Sequence, residues 1–139
     1  MFLCLDCNRV YHQKTLKYGM CKSRDCGGIS VEVDELFIPV IAELNRKGYI
    51  TKYCCSGHCG DNSGSYIYFE DYIKLPNLPE GYLYDQDLYP HVDWGKWGVK
   101  VTIRKNFDYQ KNAVELSRDI FNNALKVLKW AEELSDMKG

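Results

Sequence analysis

A chain of 139 residues with a formal net charge of −1 is long enough for one domain with a buried core and too short for two full ones. Its charge balance gives no overall electrostatic case for a polyanion or an anionic membrane surface, and the aromatic residues, 14% of the chain and concentrated between Tyr66 and Trp97, suit an ordered, loop-rich surface there rather than disorder. No apolar run approaches the roughly 20 residues of a membrane-crossing helix, and seven cysteines, an odd number behind no apolar leader, point to reduced thiols and metal ligation in a cytoplasmic protein.

Residues 1–28 read as a metal-organised module, because the segment has few aliphatic side chains to pack and ends in the Gly27-Gly28 turn. A short strand is predicted over residues 29–33. Asp34 then offers a helix N-cap, and Leu36, Phe37, Val40, Ile41 and Leu44 recur at helical spacing until Gly48 stops the helix. Pro39 fits if it lies in the first turn, where amide donors lack partners.

Residues 49–55 form the next predicted strand, which delivers a group of cysteines at its end, and Gly57, Gly60 and Gly64 mark the turn that follows. From Tyr66 to Tyr72 the alternation sets Tyr66 and Tyr68 on one face and Ile67 and Phe69 on the other, so the two strands make a hairpin. A long irregular excursion is expected from Ile73 to Gly95, and loops of that length are uncommon unless functional. Another strand covers Trp97 to Arg104. The last element is a helix from Tyr109 to Leu134, with Val114, Ile120, Phe121, Ala124, Leu125, Leu128, Ala131 and Leu134 as its apolar stripe. That stripe reads as a core contact and would serve equally as the seam of a homodimer. The expected architecture is α+β, two helices on an antiparallel sheet of about four strands, with a zinc-ribbon-like module at 1–28 and the main domain at 29–139.

Cys4-x-x-Cys7, thirteen intervening residues and Cys21-x4-Cys26 supply four thiolates as two local pairs, which suits the tetrahedral shell of zinc. His12 lies inside the loop as an alternative ligand. A closed four-thiolate site has no open position for substrate, so this module stabilises. It resembles a zinc ribbon, a likeness that implies contact with nucleic acid or protein.

Cys54-Cys55-Ser56-Gly57-His58-Cys59 sits where a strand turns. Alternation sends Cys54 and Cys55 to opposite faces, so one of them can pack inward as a small apolar side chain. Three functional readings stand beside that one. Cys55 is a nucleophile activated by His58; or Cys55, His58 and Cys59 hold a second metal completed by His91 or Asp93; or Ser56, Gly57 and His58 receive an anionic or polar group. Tyr66, Tyr68, Tyr82, Tyr84, Tyr89, Trp94 and Trp97 then stack on a base, or cover the sheet as a satellite core.

Asp34, Leu44-Asn45, Thr51 and Cys54-Cys55-Ser56-Gly57-His58 resemble the helix-to-strand motif of the tRNA wybutosine-synthesis methyltransferases, where serine stands at the place of Cys54 and arginine at that of His58. This likeness implies a methyltransferase-like enzyme. Leu44-Asn45-x-Lys47-Gly48-Tyr49-x-Thr51, followed by Cys55-Ser56-Gly57-His58 and Tyr66-Ile67-x-Phe69, is similar to small uncharacterised bacterial and phage proteins. That likeness implies a recurring module and admits a protein that blocks a host defence by sequestering a nucleotide signal or a protein. The favoured expectation is a zinc-containing binding protein that recognises a nucleotide, nucleic acid or protein partner through the Cys55–His58 turn and its aromatic neighbours; a thiol-dependent or methyltransferase-like enzyme is the alternative.

Overall fold

The computed structural model describes residues 1–11, 26–28, 30–60, 62–70, 72–91 and 101–137. It is an α+β fold. Strands β1 (Phe2–Cys4), β2 (Val10–Tyr11) and β3 (Ser30–Glu32) form a small antiparallel sheet in the order β2-β1-β3, with Leu3 opposite Val10 on one side and Val31 on the other. A 3-10 turn (Glu35–Phe37) leads into helix α1 (Ile38–Arg46), then β4 (Thr51–Cys55), β5 (Ser65–Phe69), β6 (Leu83–Tyr84), the one-turn helix α2 (Asp85–Leu88), β7 (Thr102–Lys105) and helix α3 (Ala113–Glu133). The four later strands make an antiparallel sheet in the order β4-β5-β7-β6.

Pro39 sits at the start of α1, as its fixed φ requires. Asp34 precedes the 3-10 turn, but its side chain makes no cap bond, and the expected cap is instead spent elsewhere. α3 begins at Asn112, whose Oδ1 accepts from the Glu115 amide at 3.0 Å, a side-chain cap. The excursion after Ile73 is not wholly irregular, since it contributes β6 and α2. Residues 92–100, the start of the strand expected from Trp97, lie outside the described residues.

Register sorts the sheet into two faces. Cys54 pairs with Ile67 and Ile67 with Ile103, while Cys55 pairs with Tyr66 and Tyr66 with Arg104. The first row faces the helices: Ile67, Phe69 and Ile103 are buried with Phe37, Val40, Ile41 and Leu44 before and within α1, and with Ala124, Val127 and Ala131 of α3. Leu3 joins the same core, so β1 packs into the main body. On α3 the buried stripe runs through Leu116, Ile120, Ala124, Val127 and Ala131; Val114, Phe121 and Leu125 point outward, correcting the expected stripe at those three positions. Val114 and Phe121 with Leu36 line an apolar groove of about 630 Å³.

The segment Leu44–Thr51 fixes where β4 begins. Leu44 is buried, and Asn45 Nδ2 donates to Ile41 O (2.8 Å) and Thr51 Oγ1 (2.9 Å) while its Oδ1 accepts from the Thr51 amide (3.2 Å). Gly48 adopts φ +95°, a turn conformation that glycine takes without strain. Lys47, only 5% exposed, donates from Nζ to Ala131 O (2.8 Å), Glu132 O (2.6 Å) and Leu134 O (2.7 Å). Tyr49 OH donates to Ser135 O (2.8 Å). The end of α1 thereby grips the end of α3, where carbonyls lack helical partners and a cation is favoured.

Candidate functional site

The first donor group forms where β1 turns toward β2. Cys4 N donates to Arg9 O (3.0 Å) and Asn8 N to Cys4 O (2.9 Å), with Asn8 at φ +61°. This tight turn points Cys4 and Cys7 at Cys26, and the three sulfurs lie within 4.8 Å of one another, Cys4 and Cys26 at 3.5 Å. Four thiolates about 2.3 Å from a zinc ion stand about 3.8 Å apart, so the three are spaced to hold a metal ion. A Cβ on Gly28 would lie 2.1 Å from Asp6 Oδ2, which fixes glycine beside the group. Cys21 and His12 lie outside the described residues.

The second group forms at the end of β4. Cys54 faces the core, and burial pushes its thiol up to about 12, against a smaller opposing effect from a backbone hydrogen bond at Asp34, which disfavours the nucleophilic thiolate. Cys55, on the other face, is 7% exposed, and Ser65 Oγ donates to its carbonyl (3.0 Å). Ser56 is buried and turned inward: its amide donates to Asp34 Oδ2 (2.7 Å), as does its hydroxyl (3.3 Å). Gly57 has φ +109°, and a Cβ there would meet Phe107 Cε2 at 2.7 Å. His58 is exposed, with Nε2 3.5 Å from Asp34 Oδ2.

These positions revise the expected roles of the turn. Ser56 holds Asp34, and the side of Gly57 where a Cβ would stand is filled by Phe107. An anionic ligand is disfavoured electrostatically, because the adjoining cavity of about 300 Å³ is lined by Glu32 and Asp34 with Cys54, Cys55, His58 and Tyr66. Cys59 leaves the group, its sulfur 3.3 Å from Ser117 Oγ on α3, and Asp34 takes its place: donor atoms of Asp34, Cys55 and His58 lie within 4.8 Å of one another. His91 is exposed and does not line this cavity; Asp93 lies outside the described residues. The sequence signal for Asp34 was its place in the methyltransferase-like motif, which competed with the simpler reading of an N-cap.

The outer face of the sheet carries the third feature. Tyr53, 64% exposed, stacks on Tyr68 with ring centroids 5.7 Å apart and planes at 16°. The Arg104 guanidinium lies 4.6 Å over the Tyr66 ring. It is held there by Asp85, to which Nε and Nη2 donate at 3.0 and 3.3 Å, and by the Ser63 carbonyl, to which Nη1 donates. Tyr53, Tyr66, Tyr68 and Tyr89 with Arg104, Asp85 and Thr102 enclose a cavity of about 400 Å³. Thr102 is 3% exposed, and its Oγ1 has no hydrogen-bond partner among the described residues. Burial is the main cause of the raised pKa of Tyr66. This cavity shares Tyr53 and Tyr66 with the one beside His58.

Tyr82 does not belong to the stacking face. It is buried, its hydroxyl 2.6 Å from Ser65 Oγ and accepting from Asn123 Nδ2 at 2.9 Å. Tyr84 packs against the core from the inner face. Trp94 and Trp97 lie outside the described residues. Arg104, Asp85 and Thr102 were missed from sequence, since nothing local marks two residues nineteen apart as an ion pair. Among the described residues no helix is long and apolar enough to cross a membrane. No family model, curated protein or solved structure matches the chain.

Proposed function

We propose that the protein is a small zinc-containing binding module that takes the planar base of a nucleoside or nucleotide on the tyrosine face of its four-stranded sheet. The observation that carries this reading is the cavity on the outer face, where an antiparallel sheet ordinarily presents polar side chains to water. Here it presents Tyr53, Tyr66, Tyr68 and Tyr89 around a fixed guanidinium. Aromatic faces accept any base, and each stacking contact contributes about 1–3 kcal/mol. The buried, unpartnered Thr102 hydroxyl supplies a donor or acceptor for a base edge. Arg104 is neutralised by Asp85 and Lys52 lies near Glu70 at 3.4 Å, so among the described residues the face has no basic track for a phosphate backbone, which favours a single base over a long strand. Zinc, held by Cys4, Cys7 and Cys26 with Cys21 as fourth ligand, orders the N-terminal sheet on which β3 and Asp34 depend.

Titration of the full chain with the common nucleosides and mononucleotides, followed by quenching of intrinsic fluorescence, should give saturable binding to at least one. Tyr53→Ala and Tyr66→Ala should each weaken it by roughly 5- to 150-fold, the equivalent of one lost stacking contact. Binding to none of them, or a dissociation constant changed less than twofold in both variants, would overturn the reading.

A further inference from the structure

We propose that Asp34, Cys55 and His58 form a second metal site, open on the side that faces the cavity they line. The site shares no ligand with the Cys4 group and does not depend on what the tyrosine face binds.

Its three donors come from separate places in the chain: the segment after β3, the end of β4 and the turn beyond it. They nevertheless converge, and one ring nitrogen of His58 lies within 4.8 Å of both the Cys55 sulfur and an Asp34 oxygen. A thiol-imidazole-carboxylate relay would use the two opposite ring nitrogens, one for each neighbour. Donors gathered around one nitrogen's side of the ring suit a shared ion instead.

The separation of Asp34 Oδ2 from His58 Nε2, 3.5 Å, agrees with this. It is longer than the roughly 2.7–2.9 Å of a charge-assisted hydrogen bond. Two oxygen or nitrogen ligands about 2.0–2.1 Å from a tetrahedral ion stand about 3.3 Å apart. The same oxygen, Oδ2, accepts from the amide and hydroxyl of Ser56, and outer hydrogen bonds of this kind fix a metal-ligating carboxylate. Glu32 stands at the same cavity and, among the described residues, no lysine or arginine lines it, so the field of these residues favours a cation.

A sulfur, a nitrogen and an oxygen donor together select a borderline ion such as zinc over magnesium or calcium, which take oxygen alone. Three protein ligands leave a fourth position for water or for a ligand atom, the coordination of reactive rather than purely structural zinc. Because Tyr53 and Tyr66 border both cavities, that position adjoins the tyrosine face.

The test is a titration of the metal-stripped full chain with Co²⁺ alone, read by absorbance and by bound metal per chain. His58→Ala and Cys55→Ser should each bind one equivalent fewer than the unsubstituted protein, and Cys59→Ser should bind the same number. Because all variants keep the Cys4 group intact, the metal it takes up cancels in the difference. Equal metal in His58→Ala, or loss of the equivalent in Cys59→Ser, would overturn the site. His58 is exposed and its replacement leaves the core untouched, so if Cys55→Ser fails to fold, the difference spectrum between the unsubstituted protein and His58→Ala decides. It should contain a thiolate-to-cobalt charge-transfer band, and its absence would reject Cys55 as a ligand.

Discussion

Lys47→Met should be among the most damaging single substitutions in the protein, although it keeps the length and most of the apolar stem of the side chain. Nζ of Lys47 donates to three carbonyls at the end of α3, those of Ala131, Glu132 and Leu134, at 2.6–2.8 Å. Removal of the ammonium takes a donor from each of these acceptors, Ala131 O keeping only the Leu134 amide at 3.4 Å, and a buried unsatisfied group costs about 1–3 kcal/mol. The three are not additive, because water can reach the partly exposed Glu132 carbonyl and because the ammonium no longer has to be desolvated. Overlapping losses at three carbonyls set the net scale at about 3–5 kcal/mol. At about 3 °C per kcal/mol for a chain of this size, the melting temperature should fall by roughly 10 °C or more. Urea unfolding followed by tryptophan fluorescence measures the loss, and amide exchange at Leu134, whose N–H closes the last turn on Trp130 O, should accelerate beyond the global change. A loss below about 1 kcal/mol at an unchanged denaturant slope would refute the reasoning, because the grip would then contribute no more than an exposed ion pair.

Gly57→Ala should cost about 2–6 kcal/mol in the same assay: the backbone at φ +109° disfavours any side chain by about 1–3 kcal/mol, and a Cβ 2.7 Å from Phe107 Cε2 adds an overpacking cost of similar size. Combination with Phe107→Leu should recover only the second part, and a Gly57→Ala loss under about 0.5 kcal/mol would show that the turn relaxes freely. Stability should also fall as pH rises past about 10, the ordinary tyrosine value, because burial raises the Tyr82 pKa in the fold and between the two values only the unfolded chain has lost the proton. Tyr82→Phe should flatten that alkaline limb while costing about 1 kcal/mol or more at neutral pH for the bonds to Ser65 and Asn123; an alkaline limb of unchanged slope would assign the effect to other groups.

What the sequence discloses depends on whether the cause is local. Periodicity alone places α1 and α3, and alternation alone puts Tyr66 and Tyr68 opposite Ile67 and Phe69, because each rests on a helix or strand exposing one face to the core. The same periodicity misplaces Val114, Phe121 and Leu125, since an apolar side chain on α3 is buried only where a second element covers it. Cys4 and Cys7 are legible as metal donors from spacing because the turn that joins them is four residues long. Arg104 with Asp85, and Asp34 with Ser56, are each made by chain segments brought together only by the finished sheet. No spacing rule reaches them.

The stretch Leu44–Thr51 and the turn Cys55–His58 are neighbours in sequence, and a likeness covering both invites one functional explanation. The contacts divide them. Leu44, Asn45, Lys47, Gly48, Tyr49 and Thr51 are accounted for by core packing, by a side-chain lock on β4 and by the grip on the end of α3, so they specify where β4 starts and with it where Cys55 falls. In the turn itself Ser56 and Gly57 are likewise spent on structure, which leaves Cys55 and His58 facing the cavity. The charge there is the deciding term. A turn whose amide and hydroxyl pointed outward would have attracted an anion, but this one directs them at Asp34 and so presents a carboxylate beside a thiol and an imidazole. The turn for which the sequence leaves nucleophile, metal and anion readings open thus sets a carboxylate, a thiol and an imidazole side by side.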